Sequence, residues 1–138
     1  MVTIHVLYEG GLHTRVTHGP SKSELATDAP VDNQGRGESF SPTDLVATAL
    51  GSCMATTMGI AAKKNGWDMD GARVTVEKHM VADPLRRVGK LAVRIEMPKA
   101  LGAKERGVLE KAAHTCPVRV SLDPRIEVPV DFQWGDSR

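Results

Sequence analysis

The sequence predicts an α+β chain, and three observations carry that prediction. Ser41 to Gly66 reads as one long apolar helix closed by caps at both ends. Five other segments alternate apolar and polar residues with a period of two, the mark of half-buried strands, and Glu24 to Asp28 reads as a short sixth strand. Turn residues separate neighbouring strands by short spans, so hairpins dominate, and only two helices of substantial length remain. The expected order is β-β-β-α-β-β-α-β.

The first strand spans Val2 to Glu9, with Val2, Ile4, Val6 and Tyr8 on one face. Gly10-Gly11 is a hairpin turn. The return strand, Leu12 to His18, sets Leu12, Thr14 and Val16 against His13, Arg15 and Thr17. Gly19-Pro20-Ser21 turns again, and Glu24 to Asp28 forms a short third strand. Ala29 to Phe40 has Pro30, Asn33, Gly35 and Gly37 but no apolar period, so it is a loop that feeds the long helix.

The helix starts where a serine cap is followed by proline and then Asp44, as in a capping box. Lys63 and Lys64 suit its C-terminal dipole, and Gly66 ends it. Its residues are apolar or small nearly all round, which predicts burial on most sides. Ala72 to Val81 and Val88 to Met97 are the next two strands, turned at Asp83-Pro84. Lys104 to His114 is the second helix, with Val108, Leu109, Ala112 and Ala113 as its stripe. Pro117 stops it and starts a short helix through Leu122, which leaves Cys116 at an N-cap-like junction. Ile126 to Trp134 alternates as the last strand.

Composition narrows the function. At 138 residues the chain reads as a single domain, residues 1 to 138, with room for a real core. A net charge of +1 gives no nucleic-acid footprint, and 4% aromatic residues disfavour stacking platforms for bases. No run of 18 or more residues is apolar and uncharged throughout, and the N-terminus lacks a signal pattern, so a cytoplasmic, membrane-free protein is expected. A helix of about 23 residues is about 35 Å long. One small sheet hardly covers it, and the surplus apolar surface predicts a symmetric homodimer.

Cys53 and Cys116 are the only cysteines. Each reads either as a small buried hydrophobe or as a reactive thiol. Cys53 lies mid-helix beside Gly51 and Ser52, too far from the helix start for its dipole to help, so a thiolate there needs a cation from elsewhere. Arg15 and Arg36 are the candidates. If the two cysteines meet within about 7 Å between Cα atoms, a peroxidatic cycle is open to them: sulfenic acid on Cys53, then a disulfide with Cys116. There is no C-x-x-C, no nucleotide-binding glycine motif and no recognisable zinc spacing, so no metal or cofactor is expected. His114, two residues before Cys116, leaves a Cys–His pair open.

The pair SPTDLVATALGSCMATTMGIAA (Ser41 to Ala62) and AAHTCPVRVSL (Ala112 to Leu122) resembles the OsmC/Ohr family of thiol-dependent hydroperoxide reductases. The segment TDAPVDNQGRGESFSPTDL (Thr27 to Leu45) resembles the approach loop of the OsmC-like branch. The resemblance implies an OsmC-like fold and an intertwined homodimer with active sites at its interface. It implies Cys53 as the peroxidatic and Cys116 as the resolving residue, organic hydroperoxides as substrates, and an external dithiol as reductant. Arg15 matches the family arginine best by order. One position departs: the glutamate that holds this arginine, ten residues before the first cysteine, is Thr43 here. Asp44 follows it, turned by about 100° around the helix, where it suits the cap.

Two functions follow from these residues. One is a two-cysteine peroxidase, with Leu50, Met54 and Met58 as an apolar lining for organic substrates. The other, favoured by Thr43, is a dimeric small-ligand-binding protein or another redox protein with little peroxidase activity.

Overall fold

The computed structural model describes residues 1–135. The chain forms two compact units, Met1–Val46 and a second beginning at Ala47. The observed order among the described residues is β1 (Ile4–Gly10), β2 (His13–His18), β3 (Glu24–Asp28), α1 (Pro42–Asn65), β4 (Arg73–Val81), β5 (Arg87–Glu96), α2 (Ala103–His114), α3 (Pro117–Ser121) and β6 (Val130–Gln133). A single 3-10 turn at Val31–Asn33 interrupts the expected loop.

The first unit is an antiparallel meander, β1-β2-β3. Its hairpin closes one residue later than the glycine pair suggests. Gly10 pairs with His13, and the turn residues Gly11 and Leu12 both take positive φ, 61° and 60°. Two central residues with positive φ are what the right-handed twist of a tight hairpin requires. The register slips between Tyr8 and Gly10, so Glu9 sits in a bulge of β1. The apolar face of β1 is open in the single chain: Ile4, Val6 and Tyr8 are 52%, 63% and 62% exposed. The half-buried strand expected from alternation is therefore not half-buried here. Alternation reports what a strand can bury, not that its own chain supplies the cover.

α1 starts as its sequence dictates. The Ser41 hydroxyl accepts from the Asp44 N–H (3.1 Å), and the Asp44 carboxylate accepts from the Ser41 N–H (2.8 Å). It ends in a Schellman motif: Gly66 at φ 73° donates to Lys63 O (3.2 Å), and Trp67 donates to Ala62 O (2.8 Å). Burial is narrower than the all-round apolar pattern predicts. Ala47, Leu50, Gly51, Met54, Met58 and Ala62 are buried along one stripe, whereas Ile60 is 65% exposed. By length and hydropathy alone this helix is apolar enough to cross a membrane, a test that the core helix of a soluble protein passes equally.

The second unit is built on the sheet β4-β5-β6. β4 and β5 are antiparallel, Arg73 opposite Glu96 through Val81 opposite Arg87, and Leu91, Val93 and Ile95 of β5 point into the core. The last strand is shorter than its alternation suggests, because Pro129 has no N–H for the ladder. β6 starts at Val130 and runs parallel to β5, with one isolated bridge upstream between Lys90 and Glu127. α1 lies close against this sheet at Gly51, where a Cβ would come within 2.9 Å of Val76 and 3.3 Å of Val74. Leu50, Met54, Met58, Leu91, Ile95, Leu109, Ala113 and Cys116 are fully buried and form the core of this unit. α2 meets the residue that follows β6 through its side chains: Trp134 donates to Glu110 (3.3 Å), and Arg106 lies over the Trp134 ring (5.4 Å).

Candidate active site

Two helices deliver the two sulfurs. Cys53 sits mid-way along α1 and is partly exposed, while Cys116 is fully buried at the start of α3. Cys116 is the N-cap of α3, with extended backbone (φ −63°, ψ 145°), and its sulfur accepts from the Arg119 N–H at 3.3 Å. Pro117 at the first helical position has no N–H to leave unpaired, which is why Cys-Pro opens a helix so readily.

The thiols are unbridged, and each bears on the ionisation of the other. Their electrostatics differ in sign. Burial pushes the Cys53 thiol up, but three donors outweigh it: the Val118 backbone N–H, the Cys116 thiol and the Thr57 hydroxyl. The net effect holds Cys53 below the usual thiol range. Burial pushes Cys116 up; the Arg119 N–H offsets part of this, and the neighbouring Cys53 sulfur adds to the rise. Of the two thiols, Cys53 is therefore the easier to ionise and Cys116 the harder. That asymmetry suits one nucleophile and one proton-carrying partner.

Thr57 and the Val118 N–H were not among the candidates read from the sequence. Thr57 stands one turn after Cys53 on the same helix face, with its Oγ1 at 3.9 Å from the sulfur. The Cys-x-x-x-Thr spacing is the signal that points to it. The Val118 N–H is implied by Cys-Pro at a helix start, but its partner across the fold is not.

The other candidates lie on several elements. Arg15 projects from β2, half-exposed, and pairs with Glu9 at 3.1 Å. Glu9 also lies 3.5 Å from His13, which bonds the buried Asp28 at 2.6 Å. Asp44 holds the capping box at the start of α1, and Thr43 lies 3.2 Å from the Ser41 hydroxyl. Arg36 is exposed in the loop before α1. His114 packs its ring edge-on against Phe132, centroids 5.9 Å apart. Leu50, Met54 and Met58, expected to line the approach to Cys53, are fully buried core residues instead, because they occupy the stripe of α1 that faces the sheet. Among the described residues no group of three or more His, Cys, Asp or Glu is placed to hold a metal ion.

Comparison with known proteins places this arrangement. Among curated proteins none matches. A solved structure from Psychrobacter arcticus, provisionally named an osmotic stress induced and detoxification response protein, is 45% identical, covers 96% of each chain and superposes with a TM-score of 0.91. The organic hydroperoxide resistance protein OsmC from Legionella pneumophila is 16% identical, with 96% of each chain covered and a TM-score of 0.79. The organic hydroperoxide resistance protein OhrB of Bacillus subtilis is 16% identical, covers 96% of this chain and 98% of its own, and has a TM-score of 0.72. These last two likenesses speak for the fold, which is the expected OsmC-like α+β architecture. The family model for OsmC-like proteins matches residues 35–131, a span that contains α1, both cysteines and the α2–α3 junction, and the chain belongs to that family.

Proposed function

We propose that this chain is a two-cysteine, thiol-dependent hydroperoxide reductase that acts in oxidative-stress defence. The observation that carries the reading is the asymmetric thiol pair: Cys53 is held below the usual thiol range and Cys116 above it, and each bears on the other. The Cys53 thiolate attacks the peroxide oxygen that bears hydrogen. A sulfur–oxygen bond forms, the oxygen–oxygen bond breaks, and the leaving alkoxide takes a proton to depart as an alcohol. The Cys53 sulfenic acid then condenses with Cys116. A disulfide forms, the sulfur–oxygen bond breaks, and water leaves with the Cys116 proton. An external dithiol restores both thiols by exchange and leaves as its own disulfide. No metal or bound cofactor enters this scheme.

Organic hydroperoxides are the proposed substrates, with H2O2 reduced less well. The support is that structural relatives are named for organic hydroperoxide resistance. Arg15, steadied by Glu9, is the proposed cation of the reaction. Asp44 contributes by fixing the start of the helix that carries Cys53. The working form is proposed to be a homodimer, supported by the open apolar face of β1 and the exposed Ile60 of α1. Nucleic acid and membrane have no place in this reading, and a cytoplasmic location suits the dithiol it needs.

The test is stoichiometric. The reduced protein receives one equivalent of cumene hydroperoxide or of H2O2, and free thiols are counted. Rapid loss of both thiols, faster with the organic peroxide and absent in Cys53→Ser, is the expected result. Thiols that persist for an hour with either peroxide overturn it. They would favour the second reading, a dimeric small-ligand-binding protein, for which Thr43 beside the Ser41 hydroxyl is the supporting observation.

A further inference from the structure

We propose that Thr57 is a positioning residue for Cys53, its hydroxyl holding the sulfur and favouring the thiolate; the proposal rests on Cys53 being the reactive thiol. A threonine inside a helix has two accessible rotamers, one of which returns its hydroxyl to the carbonyl four residues earlier. Thr57 instead has its Oγ1 3.9 Å from the side-chain sulfur of the residue four earlier. That placement is specific to the pair, since positions four apart share one face of α1.

The chemistry gives the contact a direction. A thiolate is an acceptor only, so the hydroxyl must donate to it; a neutral thiol has no such requirement. A donor that serves the charged form favours ionisation. The other two groups that favour ionisation differ in kind. The Val118 N–H belongs to the backbone, and Cys116 is consumed when the disulfide forms. Thr57 is therefore the one side chain of the three that stays unchanged through the proposed cycle, and it can hold Cys53 for each new round.

The experiment compares wild type, Thr57→Val and Thr57→Ser. Iodoacetamide alkylation of the reduced protein is followed against pH, with Cys53 and Cys116 resolved by peptide mass spectrometry. Thr57→Val keeps the shape and removes the hydroxyl. Its Cys53 is expected to alkylate roughly three- to tenfold more slowly at neutral pH, with the midpoint of its pH profile moved up. Thr57→Ser, which keeps the hydroxyl, is expected to restore the wild-type profile. An unmoved Cys53 profile in Thr57→Val overturns the proposal, as does a Thr57→Ser profile that matches Thr57→Val. Should Thr57→Val not fold, Thr57→Ala is read by the same criteria. The readout needs no peroxide, so a failure of peroxidase turnover in the wild type is seen separately from a failure of this assignment.

Discussion

At the scale of single residues, the two cysteines differ enough for their substitutions to give different phenotypes. Cys53→Ser is expected to abolish peroxide-dependent thiol loss altogether. Cys116→Ser is expected to undergo the first oxidation and then stall, with sulfenic acid trapped by dimedone and detected by mass. The pH dependence follows from the sign of each shift. Cys53 is held low by the Val118 N–H, Cys116 and Thr57 against the opposing effect of burial, while burial first of all holds Cys116 high. Thiolate is the reactive form, and its fraction falls as pH drops through the thiol's midpoint. As pH rises, alkylation is therefore expected to begin at Cys53 and to reach Cys116 only at higher pH. An order reversed in peptide mass spectra would reject the assignment of nucleophile and resolver. Arg15→Ala, which removes the cation proposed for the reaction, is expected to slow peroxide consumption by about tenfold or more. Glu9→Gln tests whether the 3.1 Å ion pair matters to that effect.

At the scale of elements, α1 is the piece on which the site depends, and its two ends are held by different means. Ser41 and Asp44 satisfy each other's backbone donors, so Ser41→Ala is expected to lower stability by about 1 kcal/mol. Urea unfolding followed by circular dichroism would measure it. Mid-helix, Gly51 is set by contact rather than by conformation, since a Cβ there would lie 2.9 Å from Val76. Gly51→Ala is expected to cost about 1–3 kcal/mol through overpacking, despite the better helix propensity of alanine. An unchanged unfolding midpoint would show that β4 yields at that point. Both ends of α1 and the N-cap role of Cys116 were legible in the sequence, because capping groups act on backbone two or three residues away. The hairpin turn was displaced by one residue, from Gly10-Gly11 to Gly11-Leu12, because strand register and not glycine content decides where a turn closes. The shortened last strand reflects Pro129, whose missing N–H outweighs the alternation on either side of it.

At the scale of the whole molecule, the surplus of apolar surface is the main unanswered demand of the single chain. Ile4, Val6 and Tyr8 lie open on β1, and Ile60 lies open on α1. Sedimentation of the purified protein is expected to give a homodimer. Ile60→Glu is expected to weaken it, because a charge placed in an apolar interface is desolvated without a partner. A wild-type protein that stays monomeric at high concentration would overturn the dimer.

The sequence by itself determined the α+β class, the order of the elements, the helix caps and the two chemically distinctive residues. Each of these rests on periodicity, turn chemistry or capping, which act over a few residues of chain. Only the tertiary structure decided that Cys53 and Cys116 bear on each other's ionisation, that β6 joins β5 in parallel, and which stripe of α1 is buried. It also decided that the bulge at Glu9 gives Arg15 its carboxylate partner. Those outcomes depend on packing between segments far apart in the chain, and no local pattern carries that distance. The reactivity of the thiols belongs to the same class, since a thiol's acidity is set by the donors that the fold brings to it.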